Sequence, residues 1–400
     1  MKKRVLLLDT GREWGGGTNS MFELLKRIDR ERFDISAVFY HNYRKGELSD
    51  LRSELAAIGI PFELMPAQRQ PLWAKFAKEL VRGPLSPWPS FKQNMIHVIE
   101  RCWRINPCAR AIAERLLGGK FDLLYMNNQP SSNLEGYLAG EIAGVPVVQH
   151  CRSNARLGRS EVAVVNRVAQ RLICVSAGVR DSLIAQGVRP NLCAVVHNAI
   201  DVKQVLPEAV ALTEVAADAV VIGSVGSLLP RKSNDHLIRA AALVKARGGR
   251  PFHIVLLGDG PERARLEHLV AGLGLTSCVS FAGFRPNALA WEAAMDIIVL
   301  ASDNEGFPRV ILEAMLLAKP VIASDVVGSR ELVKHGSSGF LYPYGDEEAL
   351  ANRLQQLLED ADLRRKMGAA GHQDVLQNHA IERYVRGVEE QLQGGRHDIE

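Results

Sequence analysis

Short apolar runs alternate with helical patterns along almost the whole of this 400-residue chain. A strand of a parallel sheet that is covered by helices on both faces needs apolar side chains on both of its sides. The alternation therefore predicts an α/β protein, and the number of strands fits two such sheets better than one. The predicted strands are residues 5–10, 34–40, 122–127, 145–150, 171–176, 219–226, 252–259, 279–283, 296–302 and 319–325.

The length of the chain points to more than one domain, because a single hydrophobic core usually stops growing at about 250–300 residues. The segment Lys203–Asp218 contains Pro207, shows neither strand alternation nor a strong helical period, and separates two strand-rich halves. We therefore predict a domain junction near residues 198–205.

Composition and charge argue against several classes of protein. The formal net charge of +4 is too small for a dedicated nucleic-acid-binding protein. No apolar run approaches the length of about 18 residues that a membrane-spanning helix needs. The apolar run near the N-terminus is interrupted by Asp9, which predicts a buried strand rather than a signal peptide. The six cysteines form no C-x-x-C pair, which predicts a reducing cytoplasm and neither a disulfide framework nor a zinc site.

Residues 71–117 differ from the rest of the chain. This segment holds three of the five tryptophans, and eight lysines and arginines against three glutamates. Basic residues mixed with aromatic residues at helical spacing are typical of a helix that lies on an anionic lipid surface. The same pattern also fits an ordinary pair of surface helices whose aromatic side chains pack inward. The sequence allows both interpretations.

The stretch EGFPRVILEAMLLAKP, residues 305–320, predicts a helix in which Glu313 interrupts an otherwise apolar run, with Pro308 in the first turn. A buried carboxylate has to be paired, because its desolvation is costly. A basic side chain or two hydroxyl groups of a ligand can supply the pairing. Glu305 follows the predicted strand that ends at Ser302, and open α/β sheets bind ligands at such strand ends. The pattern predicts a site for a sugar or a ribose.

A glycine-rich stretch, TGREWGGGTNS, follows the first predicted strand. Gly15, Gly16 and Gly17 allow the backbone to approach a ligand closely, and the N-terminus of the helix that begins there favours an anion. The stretch is not G-x-G-x-x-G, and no acidic residue ends a strand about 20 positions later. Both observations count against an NAD-binding dehydrogenase.

Glu305 and Glu313 are separated by seven residues and resemble the E-x7-E motif of the family 4 retaining glycosyltransferases. Two glutamates at this spacing often occur by chance. The whole stretch 301–346, however, is similar to the signature of that family, including a Gly-x-x-Glu turn that ends at Glu331. VGSLLPRKSNDHLI, LLGDGPERARLE and VSFAG precede it in the order and spacing of the family. The resemblance covers nearly all of residues 195–390 and, more loosely, the N-terminal half.

The resemblance implies the GT-B fold, in which two Rossmann-like domains with parallel sheets face each other across a cleft. It implies an acceptor-binding domain of residues 1–200 and a nucleotide-sugar-binding domain of residues 201–379. The C-terminal helix, residues 380–393, is expected to pack back onto the first domain.

The resemblance also implies a role for each site residue. Glu313 would accept hydrogen bonds from the ribose hydroxyls of the donor, and Glu305 would hold the donor sugar together with the backbone amides of residues 306–309. Lys232 would neutralise the departing diphosphate, the glycine loop would face the phosphates, and His150 would lie near the sugar. The implied catalytic residues are His150, Lys232 and Glu305; the implied donor-binding residues are Gly16, Gly17, Ser227, Arg231, Lys232, Gly306, Phe307, Pro308, Arg309 and Glu313.

Two positions depart from the pattern of the family. Ser227 stands where the family usually has an arginine that binds phosphate, and Ala199 replaces the usual glycine. A serine can donate a hydrogen bond but brings no charge, so either Arg231 compensates or the diphosphate binds more weakly. The side chain of Ala199 narrows the backbone conformations available at that turn.

The expected activity is retaining transfer of a sugar from a UDP- or GDP-sugar to a saccharide or lipid-linked saccharide, in polysaccharide or cell-envelope biosynthesis. No D-x-D motif is recognised, so neither a metal ion nor another cofactor is expected, and activity should persist in EDTA. The expected partners are the donor, the acceptor and, through residues 71–117, a membrane surface, but not nucleic acid. The expected location is the cytoplasm, at the inner face of the cell membrane. The alternatives are a nucleotide-sugar 2-epimerase of the same fold, a binding-only relative and, least favoured, an NAD-linked dehydrogenase.

Overall fold

The computed structural model describes residues 2–45, 49–66, 70–82, 95–96 and 98–394. The strands of its first half are β1 (Lys3–Asp9), β2 (Phe33–Phe39), β3 (Arg44–Lys45), β4 (Ser49–Asp50), β5 (Phe62–Leu64), β6 (Leu123–Met126), β7 (Val147–Cys151), β8 (Ala169–Cys174) and β9 (Cys193–Val195). Seven of them form one parallel sheet in the order β5-β2-β1-β6-β7-β8-β9. The short strands β3 and β4 form a separate antiparallel hairpin.

The second half of the chain builds a second parallel sheet. Its strands are β10 (Val220–Val225), β11 (Phe252–Leu257), β12 (Val279–Gly283), β13 (Ile297–Leu300), β14 (Val321–Ser324) and β15 (Gly339–Tyr342). They pair in the order β12-β11-β10-β13-β14-β15. Two parallel sheets confirm the predicted α/β class, because the alternation of strand and helix along the chain is the connectivity that parallel neighbours require.

All ten predicted strands are present, with ends that differ by a few residues. The sequence analysis did not identify five strands: β3 and β4, which have two residues each, and β5, β9 and β15, which have three, three and four residues. Each lies at an edge of its sheet, where one side has no strand partner. Edge strands are commonly short, so they offer too few residues for an apolar run to be recognised.

Helices cover both faces of each sheet. In the first half they are α1 (Gly16–Arg27), α2 (Leu51–Ala57), α3 (Leu72–Arg82), α4 (Asn106–Gly118), α5 (Leu134–Ala143), α6 (Arg159–Val168) and α7 (Ala177–Ala185). In the second half they are α8 (Asn234–Arg247), α9 (Arg263–Gly272), α10 (Ala288–Ala293), α11 (Arg309–Leu316), α12 (Val327–Leu332), α13 (Glu347–Glu359), α14 (Ala361–Asn378) and α15 (Ile381–Gln393).

Strand β1 shows why the strands read as continuous apolar runs. Successive side chains of a strand point to opposite faces of the sheet. Leu6 and Leu8 pack in the core that contains Ile112 of α4, whereas Val5 and Leu7 pack in the core formed with α1 and α15. Because helices cover both faces, the central positions of the strand, residues 5–8, are all apolar.

The last helix, α15, returns to the first sheet although it follows the second sheet in the sequence. The ammonium group of Lys3 donates to the carbonyl oxygen of Leu392 at 2.8 Å. The side chain of Glu389 accepts a hydrogen bond from the backbone N–H of Asp29 at 2.8 Å. These contacts tie the C-terminal helix to the layer of α1.

In the described part of the segment 71–117, one tryptophan packs inward and another is exposed. A π-helical turn, Arg101–Ile105, leads into α4, and Trp103 packs beneath the ammonium group of Lys78, 5.5 Å from its ring centre. Trp73 on α3 is instead 52% exposed. Trp88 lies outside the described residues. Among the helices described, none has both the length and the apolar character needed to cross a membrane.

Candidate functional site

The loops that follow β7 and β13 meet across a cleft between the two sheets. The side-chain amide of Asn198 donates to the carbonyl oxygen of Phe307 at 2.9 Å. Gly306 lies so close to the other domain that a Cβ at this position would overlap the carbonyl oxygen of Arg152. The fold thus brings the carboxyl ends of strands from both sheets together, and this edge is where open α/β sheets bind ligands.

An ion pair between Lys232 and Glu305 lies at the carboxyl ends of the strands of the second sheet. Lys232 ends a short 3-10 turn after β10, and Glu305 lies in the loop between β13 and α11. The Nζ atom of Lys232 is 2.5 Å from Oε1 of Glu305, and the two side chains are 16% and 11% exposed. Burial alone would raise the pKa of Glu305, but the charge and hydrogen bond of Lys232 hold it below its ordinary value. Glu305 is therefore a carboxylate that can accept hydrogen bonds from hydroxyl groups.

Ser227 and Arg231 flank this ion pair, and both are exposed. Gly226, immediately before Ser227, has a φ of 140°, and a Cβ on it would lie 3.7 Å from Cε of Lys232. The charge of Arg231 also contributes to the low pKa of Glu305. Arg231 therefore brings a second cation to this place, whereas Ser227 offers only a hydroxyl group.

Glu313 lies on α11 and has a protein partner. Its Oε1 atom is 3.3 Å from Nη2 of Arg309, one turn earlier on the same helix, and its side chain is 22% exposed. The helix begins at Arg309, so Pro308 is the residue before the helix and does not lie in its first turn as expected, and Glu313 lies about one turn inside. Of the two kinds of partner considered above, the protein itself supplies the cationic one, and the carboxylate is partly open to solvent.

The glycine loop of the first domain faces the start of α11. Gly16 opens α1, and a Cβ on it would lie 3.9 Å from the side chain of Arg309. A Cβ on Gly17 would lie 3.5 Å from Cγ of Arg152. The free amides at the start of α1 are therefore near two arginines, an arrangement that favours a negatively charged ligand.

His150 is placed apart from this group. It is fully buried on β7, its Nδ1 atom is 2.7 Å from the hydroxyl oxygen of Tyr125, and its ring also packs near that of Tyr384. Burial, together with the charge of Arg152, lowers the pKa of His150 well below its ordinary value. The contacts of His150 are with this buried cluster and not with the Lys232–Glu305 pair. The alternation of side chains along β7 explains the placement, since His150 is on the same face of the strand as Val148, which packs in the same core as Tyr125.

Arg152 links the two domains through a buried hydrogen-bond network. Its Nε atom donates to Asn127 at 2.7 Å, and its Nη1 atom donates to Asn198 at 3.0 Å. Asn198 in turn bonds the carbonyl oxygen of Phe307, as described above. Asn127 also donates to the buried carboxylate of Asp9. Asn127 went unrecognised in the sequence, where its position at the end of a predicted strand was the available signal.

Glu331 makes a second contact between the domains. Its carboxylate accepts hydrogen bonds from the backbone N–H groups of Ala177 at 3.0 Å and Gly178 at 2.7 Å, at the start of α7. It also lies 3.3 Å from Nε2 of His197. A carboxylate at a helix N-terminus is stabilised by the free amides and the helix dipole. Glu331 closes the Gly-x-x-Glu turn, but its partners lie more than 130 residues earlier and could not be read from that turn.

A cavity of about 650 Å³ adjoins the cleft. Its lining comes from the segment after β7, from α7 and from the loop before Glu305; it comprises Asn154, Ala155, Arg156, Leu157, Ser182, Ala185, Gln186, Asp303 and Asn304. The lining is mostly polar, and it reaches the residue next to Glu305. The cavity can therefore hold a hydrophilic molecule beside the carboxylate.

The acidic residues that could suggest a metal site are placed elsewhere. The sequence contains one D-x-D, Asp360–Asp362, at the start of α14, where Asp360 accepts a hydrogen bond from the backbone N–H of Leu363 at 2.8 Å. Asp362 pairs with Arg365. Within the described ranges, no three histidine, cysteine, aspartate or glutamate side chains are grouped so that they could hold a metal ion.

Comparisons with known proteins agree with this arrangement. The family described as Glycosyltransferase Family 4 matches residues 14–204, and the family described as Glycosyl transferases group 1 matches residues 212–374. The lipopolysaccharide core biosynthesis glycosyltransferase LpsE of Rhizobium meliloti is 29% identical over 205 residues, which is 51% of this chain and 58% of LpsE. This chain thus spans little more than half the length of that relative.

Solved structures resemble the fold over nearly its whole length. The Anabaena protein Alr3699/HepE in complex with UDP-glucose has a TM-score of 0.75 and 25% sequence identity, with 98% of this chain and 99% of that chain covered. A glycosyltransferase from Rickettsia africae ESF-5 has a TM-score of 0.76 and 18% identity, with 98% of each chain covered. Both similarities extend across the two sheets and the cleft between them.

Proposed function

Because the chain belongs to the family 4 glycosyltransferases with the GT-B fold, we propose that it transfers a sugar from a nucleotide diphosphate sugar to a saccharide acceptor. The observation that carries the proposal is the Lys232–Glu305 pair at the strand ends of the second sheet. Arg309 and Glu313 lie on the helix that follows Glu305, one turn apart from each other. A cation for phosphate and two carboxylates for hydroxyl groups are the chemistry that a sugar nucleotide requires. We propose a role in polysaccharide or cell-envelope biosynthesis, because the similar protein LpsE is described as a glycosyltransferase of lipopolysaccharide core biosynthesis.

The proposed donor is a UDP-sugar, as in the structure of Alr3699/HepE with UDP-glucose, and a GDP-sugar is the next choice. The ribose hydroxyls would donate to Glu313, and the hydroxyls of the sugar would donate to Glu305. Lys232 and Arg231 would lie at the diphosphate, with the start of α1 across the cleft. The acceptor would enter the 650 Å³ cavity, which reaches Asn304 next to Glu305.

We propose retaining transfer, in which the acceptor hydroxyl attacks from the face that the leaving group departs from. A diphosphate oxygen would take the acceptor proton, because the leaving group departs from the face that the hydroxyl group attacks. Lys232, Arg231 and the helix amides would stabilise the negative charge on the leaving diphosphate. These groups supply the positive charge that a metal ion supplies elsewhere, so activity is expected without a metal.

Thermal stability with nucleotides tests the donor site. Wild type, Glu313→Ala and the exposed control Glu359→Ala are heated with UDP, GDP, ADP and CMP. A ligand at about 100 times its dissociation constant adds about 2.7 kcal/mol, which raises the Tm of a domain by several degrees. We expect one diphosphate to raise the Tm of wild type and of the control but not of Glu313→Ala. Equal shifts in all three proteins, or none in any, would remove Glu313 from the donor site.

Product analysis tests the reaction itself. We expect transfer of the donor sugar only when an acceptor is present, with retention of the anomeric configuration by NMR and unchanged turnover in EDTA. A sugar nucleotide that is isomerised without acceptor would indicate the epimerase, which the comparisons do not favour. Turnover that is lost in EDTA and restored by Mg²⁺ or Mn²⁺ would refute metal independence.

We also propose that α3 contacts an anionic membrane surface at the inner face of the cell membrane, where the acceptor would be lipid-linked. Leu72, Phe76 and Leu80 recur every four residues on one face of this helix and are 80%, 74% and 67% exposed. Lys75 beside them is exposed and cationic. Apolar side chains that enter the headgroup region, with cations near the phosphates, give this kind of peripheral binding.

Co-sedimentation with vesicles that contain an anionic lipid tests the contact. The double variant Phe76→Ser/Leu80→Ser should lose binding at low salt, and the control Leu376→Ser, which removes a leucine 42% exposed on α14, should keep it. Wild type that fails to bind such vesicles at low salt would refute the contact.

A further inference from the structure

Glu292 is a buried carboxyl group without a partner. It lies on α10, is 0% exposed, and neither of its carboxylate oxygens has a hydrogen-bond partner. Leaving such a group unpaired in the interior costs free energy, so a protein keeps one only where it has a task or remains uncharged. The argument that drew attention to Glu313 in the sequence applies more strongly to Glu292, which interrupts the apolar stretch ALAWEAAM.

The charged groups that face Glu292 are those of the donor site. Helix α10 packs against α11, and the charges that act on Glu292 are those of Glu313 and Arg309, both on α11. Strand β10 also packs against α10, and the backbone N–H of Val210 donates to Ala290, but neither β10 nor Val210 offers a titratable group. Burial and then the charge of Glu313 raise the pKa of Glu292 well above its ordinary value, against the opposing effect of Arg309. Burial without a hydrogen-bond partner thus favours the protonated, neutral form of Glu292.

Arg309 has bonding capacity to spare beside this acid. Its Nη2 atom contacts Glu313 and its Nη1 atom donates to the carbonyl oxygen of Ala199, both at 3.3 Å. Its Nε atom is buried and has no acceptor. The charge of Arg309 therefore acts on two carboxyl groups, but its guanidinium is bonded to only one of them, Glu313. The side chain of Arg309 is only 12% exposed, so water reaches it poorly.

We propose that Glu292 is a positioning residue of the donor site, which receives Arg309 when the ribose hydroxyls of the donor replace that arginine at Glu313. This inference rests on the proposed function, because it requires that Glu313 accept the donor. In the step, the Arg309–Glu313 contact breaks, two hydroxyl groups donate to Glu313, Arg309 bonds to Glu292, and the proton of Glu292 passes to solvent. The buried acid thereby keeps Arg309 paired in both states.

Two consequences distinguish this arrangement from a merely structural carboxyl group. Donor binding releases the proton of Glu292, so the affinity for nucleotide rises with pH through the range in which the free protein holds that proton. Replacement of Glu292 by glutamine keeps the shape of the neutral acid but cannot ionise. Arg309 then has no carboxylate to move to when the ribose arrives, and the nucleotide competes with it for Glu313.

Titration calorimetry with UDP tests the proposal. Wild type, Glu292→Gln and Glu313→Ala are titrated at the same pH in two buffers that differ in ionisation enthalpy, which yields the number of protons released per UDP. The protons of UDP itself are common to all proteins and cancel in the difference. We expect wild type to release more protons than Glu292→Gln, by at most about one per UDP, and to bind UDP about 3- to 10-fold more tightly.

Each outcome decides the question. Equal proton release by wild type and Glu292→Gln, with UDP bound by both, overturns the role of Glu292 and leaves the donor site standing. Wild type that binds neither UDP nor GDP, or a nucleotide affinity that is unaffected in Glu313→Ala, overturns the donor site and this inference with it. If Glu292→Gln does not fold, Glu292→Met, which is apolar and similar in size, replaces it, and the same difference in proton release is expected.

Discussion

Replacing Lys232 with methionine removes the cation beside Glu305 and keeps most of the side-chain volume. The ammonium nitrogen lies 2.5 Å from the carboxylate oxygen, and the two side chains are 16% and 11% exposed, so little water can take the place of the lysine. Breaking a buried ion pair by removing one partner costs about 3–5 kcal/mol, because the remaining charge is uncompensated. We expect the lower end of this range, since Glu305 can take up a proton. That corresponds to a fall in Tm of about 6–12 °C for a domain of this size.

Calorimetric melting near neutral pH, in a double-mutant cycle with Glu305→Gln, measures the coupling. In the Glu305→Gln background no charge remains to be left unpaired, so the same Lys232→Met change should cost less than about 1 kcal/mol. An equal loss in both backgrounds would refute the reasoning, because the destabilisation would then come from lost packing of the lysine stem and not from Glu305.

The pH dependence gives an independent reading of the same pair. The folded-state pKa of Glu305 is held below its ordinary value of 4.5, so the pair contributes stability above that pH, and this stability is lost as the pH falls through the folded-state pKa. Lys232→Met lacks the contribution at every pH. The difference in Tm between wild type and variant should therefore shrink on acidification, and a constant difference would contradict the assignment.

Three further changes probe the contacts between the domains. Gly306→Ala places a Cβ against the carbonyl oxygen of Arg152, so we expect intact circular dichroism but a loss of transfer activity of about 100-fold, and full activity would show that the domains need not approach this closely. Glu331→Gln removes the charge at the start of α7 and should lower the free energy of unfolding by about 1 kcal/mol, as measured by thermal melting. Burial raises the pKa of Glu331, but His197 and the backbone amides outweigh this effect and hold the pKa below its ordinary value, so the loss should be larger at neutral than at acidic pH. Burial lowers the pKa of His379 from 6.5 to about 4, so the folded state resists its protonation and loses stability as the pH falls through that interval. The Tm of His379→Gln should fall less than that of wild type between those pH values, and parallel curves would refute the buried neutral imidazole.

The sequence was sufficient for the architecture because the signal is local. Ten apolar runs, read one at a time, match ten strands, and the parallel class follows from the helices between them. The strands that the sequence did not predict, such as Gly339–Tyr342, lie at sheet edges and are too short to show a recognisable apolar pattern. Glu305 and Glu313 could be singled out for the same reason, since one follows a predicted strand and the other interrupts a predicted helix, whereas Lys232 was implied only by the resemblance to the family.

Which of these residues meet was decided only in three dimensions. Lys232 and Glu305 are 73 residues apart in the chain, and Gly178 and Glu331 are 153 apart. His150 also lies near the carboxyl end of a predicted strand, but the alternation of β7 and the return of α15 put it in a core with Tyr125 and Tyr384. Periodicity is a property of neighbours along the chain, so one strand or helix at a time reveals it. Pairing, burial and pKa depend on groups that other elements bring to the same place, and only the folded chain determines which groups those are.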